Sequence, residues 1–152
     1  MAEQPDEQMR YWEDFEVGSV QETPQRRIEA ADLDGYAALT RDGNPLHLDD
    51  EAAKRAGFDR RVAHGVMITS LAAGLLQRTG IEKTGRGLLE TTSQFKRPVF
   101  VDDVIRARQT VASMRETKRD TVGLIVFEYE VLNQDDVVVQ TGTRTNLIAR
   151  RG

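Results

Sequence analysis

Gly65-Val66-Met67-Ile68-Thr69-Ser70-Leu71-Ala72-Ala73-Gly74-Leu75-Leu76-Gln77-Arg78-Thr79 is the stretch that decides the fold. It is apolar nearly all round and rich in small residues. A helix without a polar face is buried on every side, and Gly80 stands where such a helix usually stops. The run free of Asp, Glu, Lys and Arg extends from Val62 to Gln77, 16 residues with His64 inside it. A membrane helix needs about 20 apolar residues, so this is the long central helix of a core and no membrane partner is expected.

Outward from that helix toward the C-terminus the period changes to two. Leu88, Phe95, Val99 and Phe100 mark a strand over 87–100, with Pro98 at a bend or an edge. Residues 103–114 alternate through Ile105, Ala107 and Val111. Residues 121–132 place Ile125, Phe127, Tyr129 and Val131 on one face, and 137–149 give a last strand. Short polar turns at 115–120 and 133–136 predict an antiparallel sheet. Toward the N-terminus, Leu33, Tyr36, Ala37 and Leu39 recur at helical spacing over 30–39, and 26–29 is a short strand. Residues 40–49, TRDGNPLHLD, gather Gly, Asn and Pro and read as a loop. Asp49 caps a helix over 50–56 that Gly57 ends. A buried helix and a long sheet leave one packing solution, in which the sheet wraps the helix. The fold class is α+β, one domain over 11–152 behind a loose leader at 1–10.

The composition agrees. The chain has 152 residues, 21 Lys+Arg against 25 Asp+Glu, a net charge of −4, and no cysteine. The mild acidity argues against nucleic acid as a partner. Without cysteine there is no thiolate catalysis and no disulfide framework. The polar, acidic first residues are unlike a signal peptide, and a cytoplasmic location is expected.

Two histidines carry most of the chemical interest. His47 closes Asp42-Gly43-Asn44-Pro45-Leu46-His47, and His64 stands immediately before the core helix. A rigid Gly-Asn-Pro turn brings Asp42 and His47 within reach of one water, an acid/base pair in which His is the base. The competing reading is that Asp and Asn in such a loop only cap turns. Gly65, at the first turn of the core helix, offers a free N–H and no Cβ, as an oxyanion hole for an enolate requires; it also suits close packing alone. Leu46 and His47 break a calcium-loop reading, Glu90 breaks a dinucleotide fingerprint at Gly85-Arg86-Gly87, and no metal site is expected. Ser70 lacks a nucleophile-elbow context and reads first as a helix serine bonded to its own backbone.

Taken together, these pieces resemble the MaoC-like dehydratases, the (R)-specific enoyl-CoA hydratase (hydratase 2) family. The resemblance rests on Tyr36-Ala37-Ala38-Leu39-Thr40-Arg41-Asp42-Gly43-Asn44-Pro45-Leu46-His47-Leu48-Asp49, on Phe58 to Met67 around Ala63-His64-Gly65, on Phe95-Lys96-Arg97-Pro98-Val99 with its acidic turn, and on Tyr11 to Gly18. It covers roughly residues 11–149. It implies a hot-dog fold and reversible addition of water across the 2,3-double bond of an enoyl thioester. Asp42, His47 and Gly65 fall on the family's catalytic positions. Asn44, His64 and Ser70 are candidates for substrate binding. The implied partner is an acyl-CoA, with coenzyme A entering only as part of the substrate and no cofactor otherwise. A homodimer or higher homo-oligomer is expected, because a single sheet of this size leaves an open edge strand. The departures are Arg41 and Gly43 beside the Asp, and Arg61 where many members have Pro or Gly. A non-catalytic acyl-thioester binder would be expected to lose Asp42 or His47, and a hot-dog thioesterase to carry a carboxylate in the central helix, which 65–77 lacks. A dehydratase of branched or dicarboxylic acyl-CoA stays open.

Overall fold

The computed structural model describes residues 9–152, so most of the expected leader at 1–10 lies outside the described residues. The elements are a 3₁₀ turn at Trp12–Asp14, strands β1 (Val20–Glu22) and β2 (Arg26–Arg27), helices α1 (Ala30–Thr40), α2 (Pro45–Leu48), α3 (Asp50–Arg55) and α4 (Gly65–Gln77), then strands β3 (Gly85–Phe95), β4 (Val104–Glu116), β5 (Val122–Leu132) and β6 (Val138–Ala149). The sheet has six strands in the order β1-β4-β5-β6-β3, with β2 also on β4. All pairings are antiparallel. β3 does not pair with its successor β4. It pairs with β6 and forms one edge.

The period-two reading places the core correctly over β4 and β5, but not over β3, which ends at Phe95 short of the expected residue 100 and leaves Leu88 and Phe95 exposed because it is an edge strand. Ile105, Ala107, Val111, Ile125, Phe127, Tyr129 and Val131 are all buried. One cluster joins Met67, Ile68, Ala72 and Leu76 of α4 to Ile105, Ala107, Tyr129, Val131 and Val139 from three neighbouring strands. A second joins Phe15 and Ile81 to Val111, Ile125, Phe127 and Ile148. Trp12 packs on its margin and donates from Nε1 to Leu124 O at 3.1 Å.

The structure differs from the sequence reading in the helices as well. α4 ends at Gln77 and is not buried all round: Val66, Ser70 and Gly74 form a stripe exposed in the single chain. The sheet covers one face of the helix, and the small residues of the stripe have nothing opposite them within the chain. Residues 40–49 are also not loop throughout. Pro45 is preset for a first helical turn and Asn44 Oδ1 accepts from Leu46 N at 3.2 Å, so a short helix forms. Asp49 caps α3 as expected, accepting from Ala52 N at 2.9 Å, and Gly57 and Gly80 hold positive φ.

Candidate active site

The site is assembled from the turn after α1, the short α2 and the segment that leads into α4. α1 closes on Arg41, which adopts the left-handed conformation (φ 65) and donates its N–H to Ala37 O. Thr40 Oγ1 donates to Tyr36 O at 2.7 Å and accepts from Asp42 N at 3.2 Å. Asp42 therefore leaves the helix end with its carboxylate exposed. Asn44 holds the start of α2, and α2 carries His47.

His47 donates from Nδ1 to Val62 O at 2.6 Å. A carbonyl can only accept, so Nδ1 carries the proton and Nε2 keeps a free lone pair. His64 donates from Nε2 to Asp42 O at 3.1 Å. The two imidazoles stack with centroids 3.7 Å apart and planes at 22°, and Tyr36 leans on His64 at 4.8 Å. Polar side-chain atoms of Asp42, His47 and His64 all lie within 4.8 Å of one another. That set is a poor metal cage. Ring nitrogens project in their ring planes, two nearly parallel stacked rings cannot converge on one ion, and one nitrogen of each ring is committed to a carbonyl. A carboxylate beside a free imidazole nitrogen suits proton transfer.

Gly65 opens α4, so its N–H has no acceptor within the helix. Its carbonyl accepts from Gln140 Nε2 at 3.0 Å and from Thr69 Oγ1 at 3.3 Å. A Cβ here would lie 2.8 Å from two ring carbons of Phe95, so this ring occupies the space a side chain would take. Ser70 donates to Val66 O at 3.0 Å, the backbone bond expected of a helix serine, and lies on the exposed stripe.

Three residues that sequence reasoning gave no role hold this geometry. Arg61, noted only as a departure, donates to His47 O at 2.7 Å, to Asp34 Oδ1 at 2.6 Å and, through its backbone, to Asp50 Oδ1 at 2.9 Å. It ties the three short helices together. Gln140, 2% exposed, pins the first turn of α4 to β6, and Thr69 completes the link by donating to Gln140 Oε1 at 2.6 Å. Its signal was a polar residue at an inward position of an alternating strand.

An antiparallel sheet packed on one core helix is the hot-dog fold, and the relatives of this chain, named as hydratases and dehydratases, make it a hydro-lyase. The chain belongs to the MaoC like domain family, which matches over residues 14–131. An (R)-specific enoyl-CoA hydratase of Aeromonas caviae is 41% identical over 95 residues, covering 61% of this chain and 69% of that protein. A 3-hydroxybutyryl-CoA dehydratase of Methylorubrum extorquens is 32% identical over 115 residues, covering 76% and 72%. A Mycobacterium tuberculosis protein with a double hot-dog fold superposes with a TM-score of 0.85 at 17% identity, over 94% of this chain and 45% of that one, a likeness of fold alone.

Proposed function

We propose that this chain is an (R)-specific enoyl-CoA hydratase acting reversibly as a 3-hydroxyacyl-CoA dehydratase. The observation that carries the reading is the His47 Nδ1 bond to Val62 O, which leaves Nε2 free to take a proton beside the Asp42 carboxyl. In hydration, a water between them attacks C3 of the enoyl thioester as His47 Nε2 removes its proton. The electron pair moves to the thioester oxygen, where the Gly65 N–H stabilises the enolate. Asp42 acts as the acid that delivers a proton to C2. His47 returns its proton to Asp42 and the site is restored. Asn44 and His64 act by holding the loop, and Ser70 lies along the helix that the substrate follows. No metal or redox group is required; coenzyme A enters with the substrate. The two relatives support this chemistry.

The unit is a homodimer. The β3 edge is open, and Val66, Leu88, Leu89 and Phe95 are each more than half exposed in the single chain. Edges of this kind pair. None of the described helices is long and apolar enough to cross a membrane, and the expected location is the cytoplasm. The test is loss of conjugated thioester absorbance with a panel of trans-2-enoyl-CoAs, followed by chiral analysis of the product. An (S) product overturns the stereochemical assignment. Tight acyl-CoA binding with no turnover on any enoyl thioester assigns the chain to non-catalytic binding. Light scattering at 17.1 kDa overturns the dimer.

A further inference from the structure

α4 begins without the local devices that usually fix a helix start. His64 at the N-cap makes no side-chain bond to the first turn, and no acidic residue stands in that turn. Gly65, the first helical residue, is the weakest helix former after Pro. A first turn of this kind frays. The proposed chemistry nevertheless needs the Gly65 N–H aimed at one spot. A Ser or Asp cap would steady the turn, but only by setting an acceptor over its N–H groups, on the side where the thioester oxygen must come.

The turn is held instead by its carbonyl, from the sheet. Gln140 of β6 is 2% exposed and donates from Nε2 to Gly65 O at 3.0 Å. Its Oε1 accepts from Thr69 Oγ1 at 2.6 Å, so a donor and an acceptor between them fix which way the amide faces. The strand register explains why both contacts form. Val131, Gln140 and Phe95 stand side by side across β5, β6 and β3, and Tyr129, Gly142 and Ser93 form the next inward row. Two strand residues advance about 6.7 Å and four helix residues about 6 Å. Gly65 therefore lies over the first row, bonded to Gln140 and against the Phe95 ring, while Thr69 lies over the second. There Thr69 Oγ1 is 3.4 Å from Ser93 Oγ, which meets the Tyr129 hydroxyl at 2.7 Å. The Tyr129 ring crosses β6 at Gly142, where a Cβ would strike it. Gln140 and Thr69 are the points at which these two rows grip the helix.

We propose that Gln140, oriented by Thr69, is the positioning residue of the oxyanion donor: it clamps α4 by the Gly65 carbonyl and leaves the N–H face of the first turn open to the thioester. The inference rests on the hydratase reading and adds to it a residue that does not touch the substrate. Gln140→Met nearly keeps the side-chain volume and loses both bonds. It should lower kcat for a short enoyl-CoA roughly 10²-fold, with kcat/KM falling equally and KM little changed, the pattern of an interaction felt in the transition state. Thr69→Val should act in the same direction and Thr69→Ser should keep most of the activity. Thr69→Val should add little to Gln140→Met, because each removes the same clamp. A second readout is optical. A 2,4-dienoyl-CoA bound to Asp42→Asn, where turnover is blocked, absorbs at longer wavelength the more strongly its carbonyl is polarised. Adding Gln140→Met should preserve binding of this chromophore and remove most of the shift. A residue that only stabilised the fold would lower the melting temperature and leave the shift intact. Wild-type kcat in a folded Gln140→Met protein, or a lowered kcat with the full shift, overturns the proposal. If Gln140→Met does not fold, the two Thr69 variants decide on the same readouts, a Thr69→Val protein no worse than Thr69→Ser overturning it. If the wild type hydrates nothing, the hydratase reading fails by itself. The chromophore bound to the wild type then tests the clamp, which is sustained by a shift that Gln140→Met erases and overturned by one that it leaves in place or by none.

Discussion

The imidazole of His64 stacks on that of His47 at 3.7 Å while its Nε2 holds the carbonyl of Asp42 at 3.1 Å. One buried side chain therefore touches both members of the proposed acid/base pair, and in the proposed mechanism His64 is a positioning residue. His64→Phe keeps a stacking ring and loses the donor. His64→Gln keeps a donor and loses the ring. Each should lower kcat, roughly 10²-fold where Asp42 shifts by about an ångström, with KM for a short enoyl-CoA changing far less. Steady-state hydration with circular dichroism as the fold control is the measurement. Unchanged kcat in both variants would remove His64 from the site.

Arg41 immediately precedes Asp42 and adopts φ 65. A side chain in the left-handed region costs about 1 kcal/mol relative to Gly. Arg41→Gly should raise the unfolding free energy by about that amount in a denaturant titration, with the denaturant slope unchanged. A decrease would mean that the Arg41 side chain makes a contribution larger than the backbone cost.

Much of this architecture was legible in the sequence because its signals are local. Alternation through Ile125, Phe127, Tyr129 and Val131 marks an inward face whatever the strand order, and Asp49 and Gly57 delimit α3 by their own chemistry. What was not legible depends on partners distant in the chain. That β3 pairs with β6 follows from tertiary packing, as does the exposure of Val66 and Ser70 on a helix whose sequence looks uniformly apolar. The loop motif pointed to Asp42, His47 and Gly65 as candidates. It could not show that His64 supports Asp42, or that Gln140, 75 residues beyond Gly65, grips that residue's carbonyl.

Arg26 and Asp32 form a two-pronged pair at 3.0 and 2.9 Å, and Asp32 Oδ2 also accepts from Glu29 N at 2.8 Å. The Arg26 hydrogen bonds hold the Asp32 carboxyl below its usual range. A carboxyl lowered by folding contributes stability that is present above its unfolded pKa, about 3.9, and is lost as pH falls through the lowered folded value. Asp32→Asn should therefore destabilise the protein at neutral pH and flatten the acid limb of its stability curve. A wild-type acid limb unchanged by the substitution would show that other carboxyls govern it.

Gly65 offers a test of the oxyanion donor that the structure refines. Pro is tolerated at a first helical position but lacks the N–H. Any Cβ here also meets the Phe95 ring at 2.8 Å, so a steric effect must be separated from a lost donor. Phe95 is 55% exposed and can give way. Gly65→Ala, which keeps the N–H, should lose modestly and recover when combined with Phe95→Ala. Gly65→Pro should lose roughly 10²–10³-fold in kcat and should not recover in the same combination. Recovery of both would assign the whole effect to sterics.

The sharpest test separates turnover from binding. Asp42→Asn is nearly isosteric, and its Oδ1 can still accept the weak 3.4 Å bond from Asn44 N. The backbone carbonyl that His64 holds is untouched. Fold and acyl-CoA affinity should persist. The amide cannot deliver a proton to C2, so hydration of crotonyl-CoA and of a longer enoyl-CoA should fall by ~10²–10⁴-fold. His47→Gln should fall similarly: its side chain cannot present the lone pair that the Val62 carbonyl leaves free on the imidazole. If the two groups act on one water, the double variant should be little worse than either single, because a step already lost cannot be lost twice. Multiplicative losses would mean independent roles. Full activity in a well-folded Asp42→Asn protein would refute the acid assignment, and the proton at C2 would then have to come from another group in reach of the substrate.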